Sequence, residues 1–135
     1  MPVIYQIDRA NGIIRTRCVG PVNIDEVIDH FRQLERDADC PERLDTLLDI
    51  SEETSVPESE DLREVTREIR RIRNRVQFDR CAIVASRDVL VGMMRMFAVF
   101  TEEYFRETRV FRDAGYAEAW LVSQQRSASA SAHST

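Results

Sequence analysis

The sequence contains no lysine, and all 19 of its basic residues are arginine. The first reading of this is the codon bias of a GC-rich genome. It also means that any anion site must be built from arginine, histidine or backbone N–H groups. Glycine is scarce, with four scattered residues, so no Gly-rich phosphate loop exists. The three cysteines, Cys18, Cys40 and Cys81, are odd in number and widely spaced. No CxxC or Cys/His ligand spacing occurs. That argues against a metal and for reduced thiols in a reducing compartment, the cytoplasm. Bases are outnumbered by 24 acids, giving a net charge of −5, which argues against a nucleic-acid binder. The start, MPVIYQID, lacks a basic region followed by an apolar run, so no signal peptide is expected. The longest apolar stretch, residues 90–100, is about half a membrane span and contains Gly92 and Arg95, which excludes a membrane span there.

What is present has the size and composition of one globular domain: 135 residues, 43% hydrophobic and 32% charged. VIYQID and IIRTRCV flank Asn11-Gly12 and predict an antiparallel hairpin. Gly20-Pro21 then breaks the strand, and Asn23 with Glu26 three residues on reads as a capping box. Ile24, Val27, Ile28, Phe31 and Leu34 have helical spacing. LDTLLDI, residues 44–50, reads as a strand covered on both faces. A helix over about 60–75 follows, with Ser59 as its N-cap, then the strand CAIVA over 81–85. A third helix over about 89–104 opens at Asp88 and is apolar around most of its circumference. A short strand over 108–111 and a helix over 116–124 complete the order β-β-α-β-α-β-α-β-α. The expectation is an α/β fold: a mixed sheet of about five strands, with a hairpin first, parallel strands after it and helices packed on the sheet. Residues 1–124 form the domain, and 125–135, rich in Ser and Ala, read as a low-complexity, disordered tail.

No catalytic constellation stands out. His30 lies mid-helix, where it is expected to face solvent, and His133 lies in the tail. An enzyme would need His30, Asp49 or Cys81 to converge. Asp49 with Ser51, and Ser86 with Arg87, lie where buried parallel strands end, which is where open α/β sheets bind ligands. Ordinary turn chemistry is the competing reading. Arg95 interrupts the apolar helix and is an ion-pair partner, an anion clamp or a side chain snorkelling to water. Around it, Met93, Met94, Met96, Phe97 and Phe100 suit core, a dimer interface or the wall of an apolar pocket. The arginines of 67–75 interleave with Glu64 and Glu68, as on a solvated salt-bridged face.

The element order, with LDTLLDIS, RCAIVAS, VGMMRMF and VFRDAGYAEAWL, resembles the SpoIIAA-like proteins of the STAS superfamily over residues 3–121. The resemblance implies a sheet with stacked helices and a regulatory or protein-interaction role rather than turnover, with no cofactor. The likeness of some relatives to the lipid-binding Sec14 domain keeps an apolar ligand in play. STAS antagonists carry a phosphorylated serine in an Asp-Ser-Ser-Gly turn. Here the region reads TSVPESEDL, with Ser59 near that place but without the motif. The leading expectation is a non-catalytic, homodimeric interaction module. The alternative is a domain for a small apolar or acidic, lipid-like ligand, with Arg95 as the clamp.

Overall fold

The computed structural model describes residues 2–133, with side chains to residue 128. Strands β1 (Val3–Asp8) and β2 (Ile13–Gly20) form the antiparallel hairpin. Its turn places Gly12 at φ +64°, a conformation that glycine adopts without steric cost. The chain continues through α1 (Ile24–Arg36), β3 (Arg43–Glu53), α2 (Ser59–Ile72), β4 (Gln77–Val84), α3 (Asp88–Phe100), β5 (Glu107–Phe111) and α4 (Ala114–His133). This is the order expected from the sequence, and every pairing after the hairpin is parallel.

The strands lie in the sheet in chain order, β1-β2-β3-β4-β5. Each parallel connection therefore steps the same way across the sheet. Such crossovers are almost always right-handed, so all three must place their helix on one face. Helices α1, α2 and α3 share that face, where Phe31, Leu34, Leu62, Ile69, Leu90 and Phe97 join the larger core. Helix α4 follows β5 and covers the opposite face. There Ala117, Trp120 and Leu121 pack on Ile13, Leu47, Ala82 and Val84. The two-residue strand period sorts β3 between these layers. Leu44, Leu48 and Ile50 go to the first face and Leu47 to the second.

Local chemistry fixes the ends of these elements. The capping box of α1 is present: Asn23 Oδ1 accepts from the Glu26 N–H at 3.0 Å, and Glu26 Oε1 accepts from the Asn23 N–H at 3.2 Å. Helix α2 starts one residue before its expected position. Ser59 is its first helical residue and Glu58 is the cap. A cap at Ser59 would put Leu62 three residues on, with nothing to offer the cap backbone. A cap at Glu58 puts Asp61 there, and its Oδ2 accepts from the Glu58 N–H at 3.0 Å. Helix α3 ends at Phe100 rather than near Tyr104, and a turn follows.

Helix α4 runs past residue 124, where the domain was expected to end, through the Ser/Ala segment to His133. Alternating alanine and serine contain no helix breaker, so the helix can propagate. Gln125 belongs to the packed body, because its Nε2 donates to Asp45 Oδ2 and to the Asn11 carbonyl, both at 2.9 Å. Residues 134 and 135 of the expected tail lie outside the described residues. Asp45 also resolves an irregularity in the sheet. The β3–β4 register shifts between Leu44 and Thr46, as at a bulge, and the Arg80 N–H donates to buried Asp45 Oδ1 at 2.9 Å. On the same face Arg15 grips Glu118 of α4 with two hydrogen bonds, at 3.0 and 3.1 Å, and Asp8 with a third at 3.1 Å.

Helix α4 alone covers its face, so its core residues carry that layer. Leu121 is fully buried, and Leu121→Ala should cost about 2–5 kcal/mol in urea unfolding. A loss below about 1 kcal/mol would show that α4 is not needed to close the sheet.

Candidate functional site

The face covered by three helices is not filled. Between it and α1, α2 and α3 lies a cavity of about 340 Å³. Protein interiors hold few voids larger than a water molecule, and ligand pockets run from about 300 to 1,000 Å³, so this space has pocket dimensions. Its cause is in the sheet. Adjacent strands align their side chains in rows, and Ile14, Thr46 and Cys81 make one row across β2, β3 and β4. Thr16, Leu48 and Ile83 make the next. Thr16, Cys18, Thr46 and Cys81 line the cavity with short side chains at positions where a filled core would carry longer ones.

The inner wall is apolar and buried, formed by Phe31, Ile69, Phe78, Met94, Phe97 and Phe105. The exposed lining residues, Asn23 and Val56, lie at the starts of α1 and α2. The cavity thus meets solvent beside the carboxyl ends of β2 and β3. Glu53 and Asp61 line it on that side.

The polar groups along this wall are few and unusual. His30 lines the cavity from α1, with its ring 5.1 Å from that of Tyr5 and 5.3 Å from that of Phe31. Its Nδ1 is buried without a hydrogen-bond partner, as is Thr46 Oγ1. Such atoms are rare in native proteins, because each costs about 1–3 kcal/mol, and here the two residues that carry them both line one cavity. Burial pushes the His30 pKa down to about 4, so the ring is neutral at neutral pH. Burial raises Cys18 and Cys81 to about 12, which makes both poor nucleophiles. Burial likewise raises the Glu53 carboxyl, against the hydroxyl of Ser55, which donates to it at 3.2 Å.

The sequence-derived candidates divide. Met94 and Phe97 line the cavity. Met93 and Phe100 are half-buried against the core, with Arg63 stacked 5.0 Å from the Phe100 ring centroid. Met96 is exposed. Arg95 is exposed on α3 and absent from the cavity wall, so it clamps nothing there. Asp49 and Ser51 satisfy each other: Asp49 Oδ1 accepts from the Ser51 hydroxyl at 2.6 Å and from its N–H at 2.9 Å. The Ser86 hydroxyl donates to the Ser51 carbonyl at 3.4 Å, and Arg87 donates to the Ser55 carbonyl at 3.0 Å. The two strand ends do meet, but as loop ties. No crevice forms there of the kind made where strand order reverses, because this order never reverses. His30, expected in solvent, lines the cavity instead. Cys81 shares the cavity, but Asp49 alternates away from Leu48 and Ile50 and does not line it. Ser59 is half-exposed on the first turn of α2. Among the described residues no group of three or more His, Cys, Asp or Glu could hold a metal ion, and no helix is long and apolar enough to cross a membrane.

This architecture is found elsewhere. The SpoIIAA-like family model matches residues 13–122. The chain belongs to the SpoIIAA-like family. Its fold is similar to the crystal structure of an uncharacterised protein with a SpoIIAA-like fold from Shewanella loihica PV-4. That likeness has a TM-score of 0.57 at 18% identity and covers 88% of this chain and 91% of the other. At that identity it speaks for the fold alone. No curated protein matches this chain. The SpoIIAA-like pattern in the sequence therefore identified both family and architecture, while of the cavity only Met94 and Phe97 had been among the candidates.

His30 supplies a pH test. Its pKa is lower in the folded chain than the ordinary 6.5, so between pH 6.5 and about 4 the unfolded chain binds more protons. The neutral ring's contribution is present above pH 6.5 and fades on acidification through that window. Between pH 7 and 4.5 the wild type should lose about 2 kcal/mol more stability than His30→Phe. Parallel losses in denaturant titrations at the two pH values would place His30 in water.

Proposed function

We propose that this protein is a non-catalytic binding module that holds a small apolar molecule between its sheet and its three-helix layer. The carrying observation is the open apolar cavity. The inert thiols and the neutral, unpaired His30 fit retention of a ligand better than its turnover. The test is titration with the uncharged fluorophore N-phenyl-1-naphthylamine. Native protein should bind it saturably with a blue-shifted emission. Val65→Trp and Met94→Trp, which fill the wall from two helices, should each weaken binding at least tenfold while the protein stays folded by circular dichroism. Undiminished binding in both folded variants would move the site elsewhere.

A second reading concerns the outer face of α3 and retains the homodimeric regulatory module. Val89, Met96 and Val99 recur there at helical spacing and are 49%, 38% and 63% exposed. Gly92, between them, has open space where a Cβ would stand. The opposite side of the same helix supplies Met94 and Phe97 to the cavity. An α3–α3 dimer would therefore feel whether the cavity is occupied. Sedimentation at micromolar concentration should give a dimer that Val99→Glu converts to monomer. A wild-type monomer across that range would remove this reading and leave the cavity untouched.

A further inference from the structure

The charges around the cavity narrow what it can take. The chain carries 19 arginines, yet none lines the cavity. Its titratable lining groups are His30 from α1, Glu53 from β3, Asp61 from α2, and the thiols of Cys18 and Cys81. Of these His30 and the thiols are uncharged at neutral pH, for the burial reasons given above. The remaining charge is negative and lies toward the solvent side. Glu53 is half-buried and takes part in no ion pair among the described residues. Its hydrogen-bond donors are neutral: the Ser55 hydroxyl at 3.2 Å and the Cys18 thiol beside it. Asp61 accepts from the Glu58 N–H. The cation acting on Glu53 is Arg87, which does not line the cavity and donates to the Ser55 carbonyl. An anionic head group entering here would be desolvated beside two carboxylates with no donor cation in the wall.

We infer that the cavity selects by charge, taking apolar amines ahead of neutral amphiphiles and excluding fatty acids and other anionic amphiphiles. This rests on the cavity being the binding site, and it sets aside the acidic ligand and Arg95 clamp that formed part of the alternative reading of the sequence. An alkyl chain would occupy the space bounded by Phe31, Met94 and Phe97. The ammonium would stand beside Glu53, where a half-buried carboxylate makes no direct ion pair and a charge-assisted hydrogen bond can form. A neutral alcohol gains the same apolar transfer without that bond. A carboxylate gains the transfer but meets two negative groups.

The experiment displaces N-phenyl-1-naphthylamine from the native protein with decylamine, decanol and decanoate at pH 8, below their micellar concentrations. Decylamine and decanol carry the same decyl chain and decanoate is one methylene shorter, worth about fourfold, so larger differences report the head group. Decylamine should displace at least threefold more tightly than decanol, and decanoate at least tenfold more weakly. In Glu53→Gln, with each ligand compared against the probe in the same variant, the amine should fall to the level of the alcohol and decanoate should improve. Should Glu53→Gln not fold, Asp61→Asn, at the exposed start of α2, should narrow the amine–acid gap in the same direction. If the probe binds and decanoate displaces it as well as decylamine, the charge selection is wrong and the cavity reading stands. If neither the probe nor any of the three binds, the cavity reading falls and the selection falls with it.

Discussion

The constraint on which the rest depends is the handedness of the crossover. Five strands laid down in chain order admit one placement of the connecting helices, all on the same side. That choice produces two unequal faces. One carries three helices and most of the core, and the other carries α4 alone. It also removes the reversal in strand order at which doubly wound sheets open a crevice. A cavity has to arise within the helical layer. Here it arises because Thr16, Cys18, Thr46 and Cys81 keep the floor low while α1, α2 and α3 rest on longer side chains around its edge.

Different kinds of interaction secure the two faces. The three-helix face is held by apolar contact around a void, with the polar atoms of His30 and Thr46 left unpaired along it. The α4 face has polar clamps at its margin. Arg15 spans Glu118 and Asp8, and Asp45 joins the Arg80 backbone to Gln125. Tyr5 braces the hairpin against the end of α1, its hydroxyl donating to Asp37 at 2.7 Å. Burial and that bond hold the Tyr5 hydroxyl up at about 12, so it stays a donor across the physiological range. The sheet thus has one clamped face and one open layer. Helix α3 belongs to both layers of that account, because its inner residues line the void and its outer ones remain uncovered.

Much of this was legible along the chain. Asn11-Gly12 announced the hairpin because a tight turn needs positive φ, and Asn23 with Glu26 announced α1 because a capping box is a local device. Alternation of strands and helices gave the parallel sheet. The site was less legible for equally physical reasons. Asp49 and Ser51 sit next to cavity-lining Leu48 and Ile50, yet a one-residue step along a strand reverses the face. Arg95 drew notice as a charge in an apolar helix, but a helix surface turns through 100° per residue, and its neighbours Met94 and Met96 already point to different environments. His30 was expected in solvent from its place mid-helix, but Tyr5 from β1 packs against its ring.

The sequence by itself determined the elements, their order, the antiparallel start and the family, since these follow from local periodicity, turn chemistry and the connection rules. Only the tertiary structure decided that short side chains on three separate strands would lie in adjoining rows beneath three helices. It also decided that the arginines would stay outside the resulting cavity while Glu53 and Asp61 stayed at its edge. A void depends on what several distant segments fail to fill, and no single stretch of chain records that sum.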